Sequence, residues 1–91
     1  MAEHANEAAE FLKKLANPHR LMMLCAISDG ELSVGQLNEQ VRLSQSALSQ
    51  HLAALRDAGL VKTRREGQTI YYSLQGKRAM QVIKVLQGLF C

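Results

Sequence analysis

Two cysteines and one row of hydroxyl and amide side chains are the groups in this 91-residue chain best placed to do chemistry. Cys25 and Cys91 stand 66 positions apart, which matches neither a zinc-ligand spacing nor a Cys-x-x-Cys pair. In a reducing compartment they rest as thiols. The second feature lies in residues 43–60, LSQSALSQHLAALRDAGL. Leu48, Leu52 and Leu55 fall at i, i+4 and i+7, so they share one side of a helix that opens at Ser44 as N-cap and stops at Gly59. Opposite them lie Ser46, Gln50 and Ala53, with Ser49 on the flank and no acidic residue among them. Short hydroxyl and amide side chains suit hydrogen bonds to base edges and phosphates, and small residues let a helix sit deep in a major groove. The same residues also fit an ordinary surface helix rich in Ser and Gln, so the neighbouring elements decide.

The elements on either side support a recognition helix. A first helix over about 5–16 places Ala8, Phe11, Leu12 and Leu15 on one stripe. Asn17-Pro18 breaks it, since proline disfavours helix in the residue before it and suits the first turn of the next. A second helix over about 18–28 presents Leu21, Leu24, Cys25 and Ser28 on one face and stops at Asp29-Gly30. Ser33 with Gln36 three residues on is a capping-box pattern, which opens a short helix over about 34–40 anchored by Val34, Leu37 and Val41. Arg42-Leu43 is the turn into the recognition helix, and together the two helices make a helix-turn-helix. After Gly59 the period changes to two. Residues 60–65 and 69–74 alternate around Glu66-Gly67-Gln68 and read as a hairpin, the wing, with Arg64, Arg65 and Gln68 at its tip. Residues 77–90 form a last helix whose apolar band (Val82, Ile83, Val85, Leu86, Leu89, Phe90) is wider than one contact needs.

Composition sets the frame for these elements. Hydrophobic residues make up 47% of the chain, with one proline and six glycines, as expected of a single globular domain over 1–91 with a small core. No run reaches transmembrane length and Met1 to Glu10 is acidic and alanine-rich, so no membrane partner and a cytoplasmic location are expected. The net charge of +3 is uneven: residues 1–41 hold three basic and six acidic side chains, residues 42–78 seven and two. Arg42, Arg56, Lys62, Arg64, Arg65, Lys77 and Arg78 therefore surround the recognition helix, as a phosphate-facing surface requires. The expected fold is mainly α with a small β-hairpin: a winged helix-turn-helix of about five helices plus a two-stranded wing. A homodimer through the first and last helices follows from the surplus apolar band, and two recognition helices about one DNA turn apart predict an inverted-repeat operator in double-stranded DNA.

From ANPHRLMMLC through ELSVGQL to LSQSALSQHLAALRDAGLVKTRREGQTIYYSL, the chain resembles the ArsR/SmtB winged-helix repressors. The resemblance implies a homodimeric repressor whose operator binding is switched by an inducer. It maps DNA contact onto Gln45, Ser46, Ser49, Gln50, His51 and the wing; Ser44 and Arg56 at the ends of the same helix complete the candidate surface. His51 falls at the edge of the leucine face, where a structural or phosphate-contacting role fits better than base reading. His4 and His19 show no evident partner, and His19 and Cys25 point about 120° apart within one helix.

The family's metal ligands are missing. Ser33-Val34-Gly35 stands where metal sensors carry Cys-x-Cys, and Met80 to Cys91 holds no Asp or His. No metal and no cofactor are therefore expected. The positions of Cys25 and Cys91 resemble instead the persulfide- and redox-sensing, BigR-like branch. That resemblance implies that the two thiols of one protomer lie close together and are bridged by a disulfide or polysulfide in response to reactive sulfur species, which lowers DNA affinity. Periodicity alone puts Cys91 on the side of Met80, Lys84 and Gln87 and does not bring it to Cys25. A general oxidant sensor and a metal- or haem-responsive repressor are the alternatives within the class. An enzyme is not expected, since no nucleophile has a base at a telling spacing and no phosphate loop or His-Glu-x-x-His occurs. A winged domain used only for protein contacts would carry a more apolar or acidic recognition face.

Overall fold

Asn17 separates the first two helices. Its Oδ1 accepts from the backbone N–H of His19 at 2.9 Å and of Arg20 at 3.2 Å, and Pro18 takes the first helical position, where an N–H is not needed. In the computed structural model, which describes residues 1–90, a 3-10 turn leads into α1 (Ala5–Leu15), and α2 (Pro18–Ala26) follows Asn17. The next elements are β1 (Leu32–Ser33), α3 (Val34–Gln40), α4 (Gln45–Asp57), the hairpin β2 (Val61–Glu66) and β3 (Thr69–Leu74), and α5 (Gly76–Phe90).

The capping pattern at α3 is realised in full. Ser33 accepts from the Gln36 N–H at 3.1 Å while the Gln36 side chain accepts from the Ser33 N–H at 2.9 Å. Ser44 caps α4 by accepting from the Ala47 N–H. The far end of α4 closes with Gly59 at φ 74°, and the N–H groups of Gly59 and Leu60 return to the carbonyls of Arg56 and Leu55, both at 3.0 Å. This is a Schellman ending, which needs a left-handed residue and so favours glycine there. It turns the chain sharply into β2, and Leu60 and Val61 drop into the core.

Five helices and a wing are present as expected, with three local differences. The sheet has three antiparallel strands in the order β1-β3-β2, because Leu32 and Ser33 pair with Tyr72 and Tyr71. A two-residue strand is too short to show a period of two. The hairpin loop is two residues rather than three. Glu66 pairs with Thr69, and Gly67 at φ 64° with Gln68 makes a turn with glycine in first position, whose twist matches the strands. Finally, α2 ends at Ala26 and buries Met23 and Leu24, with Ile27 just beyond, while Leu21 and Cys25 are half-buried. The expected inner face of Leu21, Leu24, Cys25 and Ser28 is thus rotated by part of a turn.

The core is continuous from Leu15 through Leu24, Leu37, Leu48, Leu55 and Ile83. α4 contributes the three leucines expected of it, each at most 3% exposed. Burial of this order stabilises by about 1.5–3 kcal/mol per side chain, enough to fix which face of α4 points outward.

Candidate nucleic-acid interface

With Leu48, Leu52 and Leu55 held in the core, the other side of α4 faces outward. Ser44, Gln45, Ser46, Ser49, Gln50, Ala53 and Arg56 are all exposed. No acidic residue stands in the first turn of α4, and its backbone N–H groups there, apart from the one Ser44 satisfies, carry the partial positive charge of a helix N-terminus. This surface offers donors and acceptors on short side chains, with an arginine at one end.

His51 sits apart from that surface. It is half-buried at the flank of α4, where its Nδ1 accepts a hydrogen bond from Arg20 Nε at 3.2 Å, and its ring lies 5.8 Å from that of His19. Arg20 in turn donates from Nη1 to the Lys14 carbonyl at 3.4 Å. Desolvation, then the Arg20 guanidinium and His19, push the His51 imidazole below its ordinary pKa. A neutral ring is what an acceptor at Nδ1 requires. Of the two roles expected for His51, structural or phosphate-contacting, the Arg20 bond is the contact seen on its Nδ1. His19, for which no partner was evident, finds one 32 positions away. Arg20 and His19 are the residues that sequence reasoning missed at this edge; no periodic signal links them to α4.

The wing residues divide. Arg64 donates from Nη2 to Glu31 Oε1 at 2.6 Å and from Nη1 to Glu66 Oε2 at 2.7 Å, with its guanidinium 4.5 Å from the centroid of the Tyr71 ring. The hydrogen bond from Arg64 holds the Glu31 carboxyl below the usual carboxylate range, and the bonds to Glu31 and then Glu66 raise the Arg64 pKa further. Arg65, on the other face of β2, donates from Nε to the Gly67 carbonyl at 3.2 Å and pairs with no acidic residue among the described residues. Gln68 is exposed at the tip.

Cys25 lies on the side of α2 that meets α5. It borders an apolar cavity of about 300 Å³ formed with Leu21, Leu86, Gln87 and Phe90. Ser28 Oγ donates to the Cys25 carbonyl at 2.7 Å, and Gln87 Nε2 donates to Ser28 Oγ at 3.3 Å, so a chain of polar bonds joins the end of α2 to the end of α5. The second cysteine of the sequence reading, Cys91, lies outside the described residues. No group of three or more His, Cys, Asp or Glu converges among the described residues in a way that would hold a metal ion.

Comparison with known proteins supports the family and the fold. A family described as "Bacterial regulatory protein, arsR family" matches residues 17–63, from the cap of α2 to the middle of β2. The Transcriptional activator HlyU of Vibrio cholerae is 48% identical over 91 residues, spanning 100% of this chain and 84% of that protein. The Biofilm growth-associated repressor of Xylella fastidiosa is 44% identical over the same length, spanning 80% of that protein. The solved structure of reduced HlyU from Vibrio cholerae superposes with a TM-score of 0.95 over 100% of this chain and 96% of that one, at 48% identity. That of the transcriptional repressor BigR from Xylella fastidiosa gives 0.93 over 100% and 93%, at 44% identity.

Proposed function

Because the chain belongs to the ArsR family of bacterial regulatory proteins, DNA-binding transcriptional regulators rather than enzymes, we propose that it is a homodimeric repressor switched by its two cysteines. It binds an inverted-repeat operator through Ser44, Gln45, Ser46, Ser49, Gln50 and Arg56 of α4 and Arg65 and Gln68 of the wing. Bridging of Cys25 and Cys91 within one protomer releases it. The named relatives divide between an activator and a repressor. Repression is the reading adopted because occupancy of an operator is enough to block a promoter, with no further surface needed.

The dimer reading rests on apolar side chains left in water. Leu12 of α1 is 55% exposed, and Val85, Leu89 and Phe90 of α5 are 61%, 70% and 81% exposed. Side chains of this size on two elements of a 91-residue chain call for a partner, and a second copy paired about a two-fold axis covers both patches at once. Within the chain, Arg78 joins α5 to α1, over the Phe11 ring and 3.8 Å from Glu7.

The redox reading is carried by one observation. Phe90, the sequence neighbour of Cys91, lines the same cavity as Cys25. The chemistry needs no cofactor. A cysteine thiolate attacks the outer sulfur of a low-molecular-weight persulfide, which leaves as the reduced thiol, and the protein keeps the sulfur as a cysteine persulfide. Attack by the second cysteine on the cysteine-bound sulfur closes a disulfide and expels hydrosulfide. If both cysteines are first persulfidated, attack of one persulfide on the cysteine-bound sulfur of the other closes a trisulfide with the same leaving group. Either bridge ties α2 to α5, and so ties the support of the helix-turn-helix to the proposed dimer seam. A coupling of about 1–3 kcal/mol changes operator occupancy at least five-fold.

Intact mass of the reduced protein after glutathione persulfide, with glutathione disulfide in parallel, tests this. A retained sulfur adds about 32 Da, whereas a plain disulfide removes about 2 Da. A Cys25–Cys91 bridge formed with persulfide alone, together with loss of DNA binding that Cys25→Ser or Cys91→Ser abolishes, is the expected result. Equal bridging by both reagents makes the protein a general oxidant sensor. No reaction, or a serine variant still released by persulfide, removes the cysteines from the switch.

A further inference from the structure

The outer face of the sheet carries a polar staple. Arg64 on β2 is paired in register with Tyr71 on β3, and Tyr71 is paired on its other side with Ser33 on β1. The Arg64 guanidinium lies over the Tyr71 ring and reaches Glu31, the residue that precedes β1, so one side chain crosses all three strands. Its Nε is 3.2 Å from both oxygens of Glu31, its Nη2 is 2.6 Å from Oε1, and its Nη1 is 2.7 Å from Glu66. Each of its three nitrogens thus has a carboxylate partner, and the planar fork is matched to Glu31 on two of them.

We propose that Arg64 is a positioning residue that locks the wing to the start of α3, and that it does not contact DNA phosphate. This rests on the reading that α4 and the wing bind DNA. Two physical points carry it. To reach a phosphate, Arg64 would have to leave two carboxylates, and the vacated Glu31 and Glu66 would then stand beside the phosphate as like charges. Glu31 is also two residues before Ser33, the N-cap of α3, so the staple joins the hairpin to the first helix of the helix-turn-helix. Moving the wing without moving α3 breaks it. The phosphate role falls to Arg65, which lies on the opposite face of β2 without an acidic partner among the described residues.

Anisotropy titrations over a range of salt separate the two roles for Arg64. The probe is a labelled duplex of about 30 base pairs, recovered by the wild-type protein from a randomised pool, long enough for two half-sites. Glu31→Gln and Arg64→Gln are each expected to weaken binding about three- to ten-fold with no change in the slope of log Kd against log salt. The double variant is expected to be no weaker than either single one. Exchanging the charges, Glu31→Arg with Arg64→Glu, restores affinity to within about two-fold, a rescue open to a positioning pair and closed to a phosphate contact. Arg65→Gln flattens the slope by about one per protomer. If Arg64 contacts phosphate, the signs differ: Glu31→Gln frees it and tightens binding, while Arg64→Gln flattens the slope. That pattern, or unchanged affinity in every variant at these positions, overturns the proposal. Wild-type protein that recovers no duplex, or binds without salt dependence, overturns the DNA reading itself before any variant is made.

Discussion

α4 and α5 are both amphipathic helices that bury one face, and they differ in what they leave outside. α4 buries Leu48, Leu52 and Leu55 and exposes Ser46, Ser49, Gln50 and Ala53; α5 buries Ala79 and Ile83 and exposes Val85, Leu89 and Phe90. Water tolerates the first set, which has hydrogen-bonding groups and little area. It penalises the second, which has large apolar area and no polar atom to compensate. The inner faces of the two helices are interchangeable contributions to one core. In the proposed function, their outer faces separate the two helices: that of α4 suits a hydrated, charged partner and that of α5 a protein surface.

The largest effect follows from breaking the α5 side. Leu89→Glu puts a charge at a position 70% exposed in the single chain, where folding has little stake in the residue. Sedimentation is expected to show monomer. Operator affinity is then expected to fall by about 100-fold or more, since two linked half-site contacts become one. A Leu89→Glu protein that stays dimeric and binds operator as the wild type does would erase the distinction between the two faces. The next effect belongs to α4. Gln50→Glu replaces an amide with a carboxylate on the face proposed to enter the groove. A lost base contact costs about 1–3 kcal/mol, so affinity is expected to drop about ten- to hundred-fold while sedimentation still reports dimer. An unchanged titration would show that Gln50 reads no base and that α4 docks by other residues.

The division between these faces was legible in the residues, because each is a local pattern: the leucine spacing of α4, the caps at Ser33 and Ser44, the glycine stop at Gly59, the over-wide apolar band of α5. What could not be read was non-local or lacked contrast. Glu31 and Arg64 are 33 positions apart and the strand partners Leu32 and Tyr72 are 40 apart, and no spacing rule connects either pair. The phase of α2 differs from the expected one for another reason. LMMLCAI offers an apolar residue in every direction, so its inward side is chosen by the neighbours that pack on it and not by its own pattern. At the candidate interface, Arg64 and Arg65 are the same residue type at adjacent positions. Strand alternation assigns them to opposite faces, but only the carboxylates brought in by the sheet distinguish their surroundings.

The smallest expected effect concerns the edge where α4 meets α2, which is polar where the contact of α5 with α2 is largely apolar. Arg20 Nε donates to His51 Nδ1, with His19 5.8 Å away and the Lys14 carbonyl taking the other end of Arg20. Protonating His51 removes the acceptor and sets a cation beside Arg20. The folded protein therefore holds the imidazole pKa below its ordinary value, through desolvation first and Arg20 second. Folded chains then bind fewer protons than unfolded ones just below that value, so unfolding free energy falls as pH is lowered there. The contribution is complete above about pH 6.5, the ordinary imidazole value, and is lost as pH drops from there toward the lowered folded value. His51→Gln keeps an acceptor for Arg20 and cannot titrate. Thermal unfolding of the two proteins is expected to coincide near pH 7.5 and to separate near pH 5.5, with the glutamine variant the more stable by a few degrees. Parallel profiles across that range would mean that the Arg20 bond exerts no hold on α4, and that α4 is seated on α2 by its leucines alone.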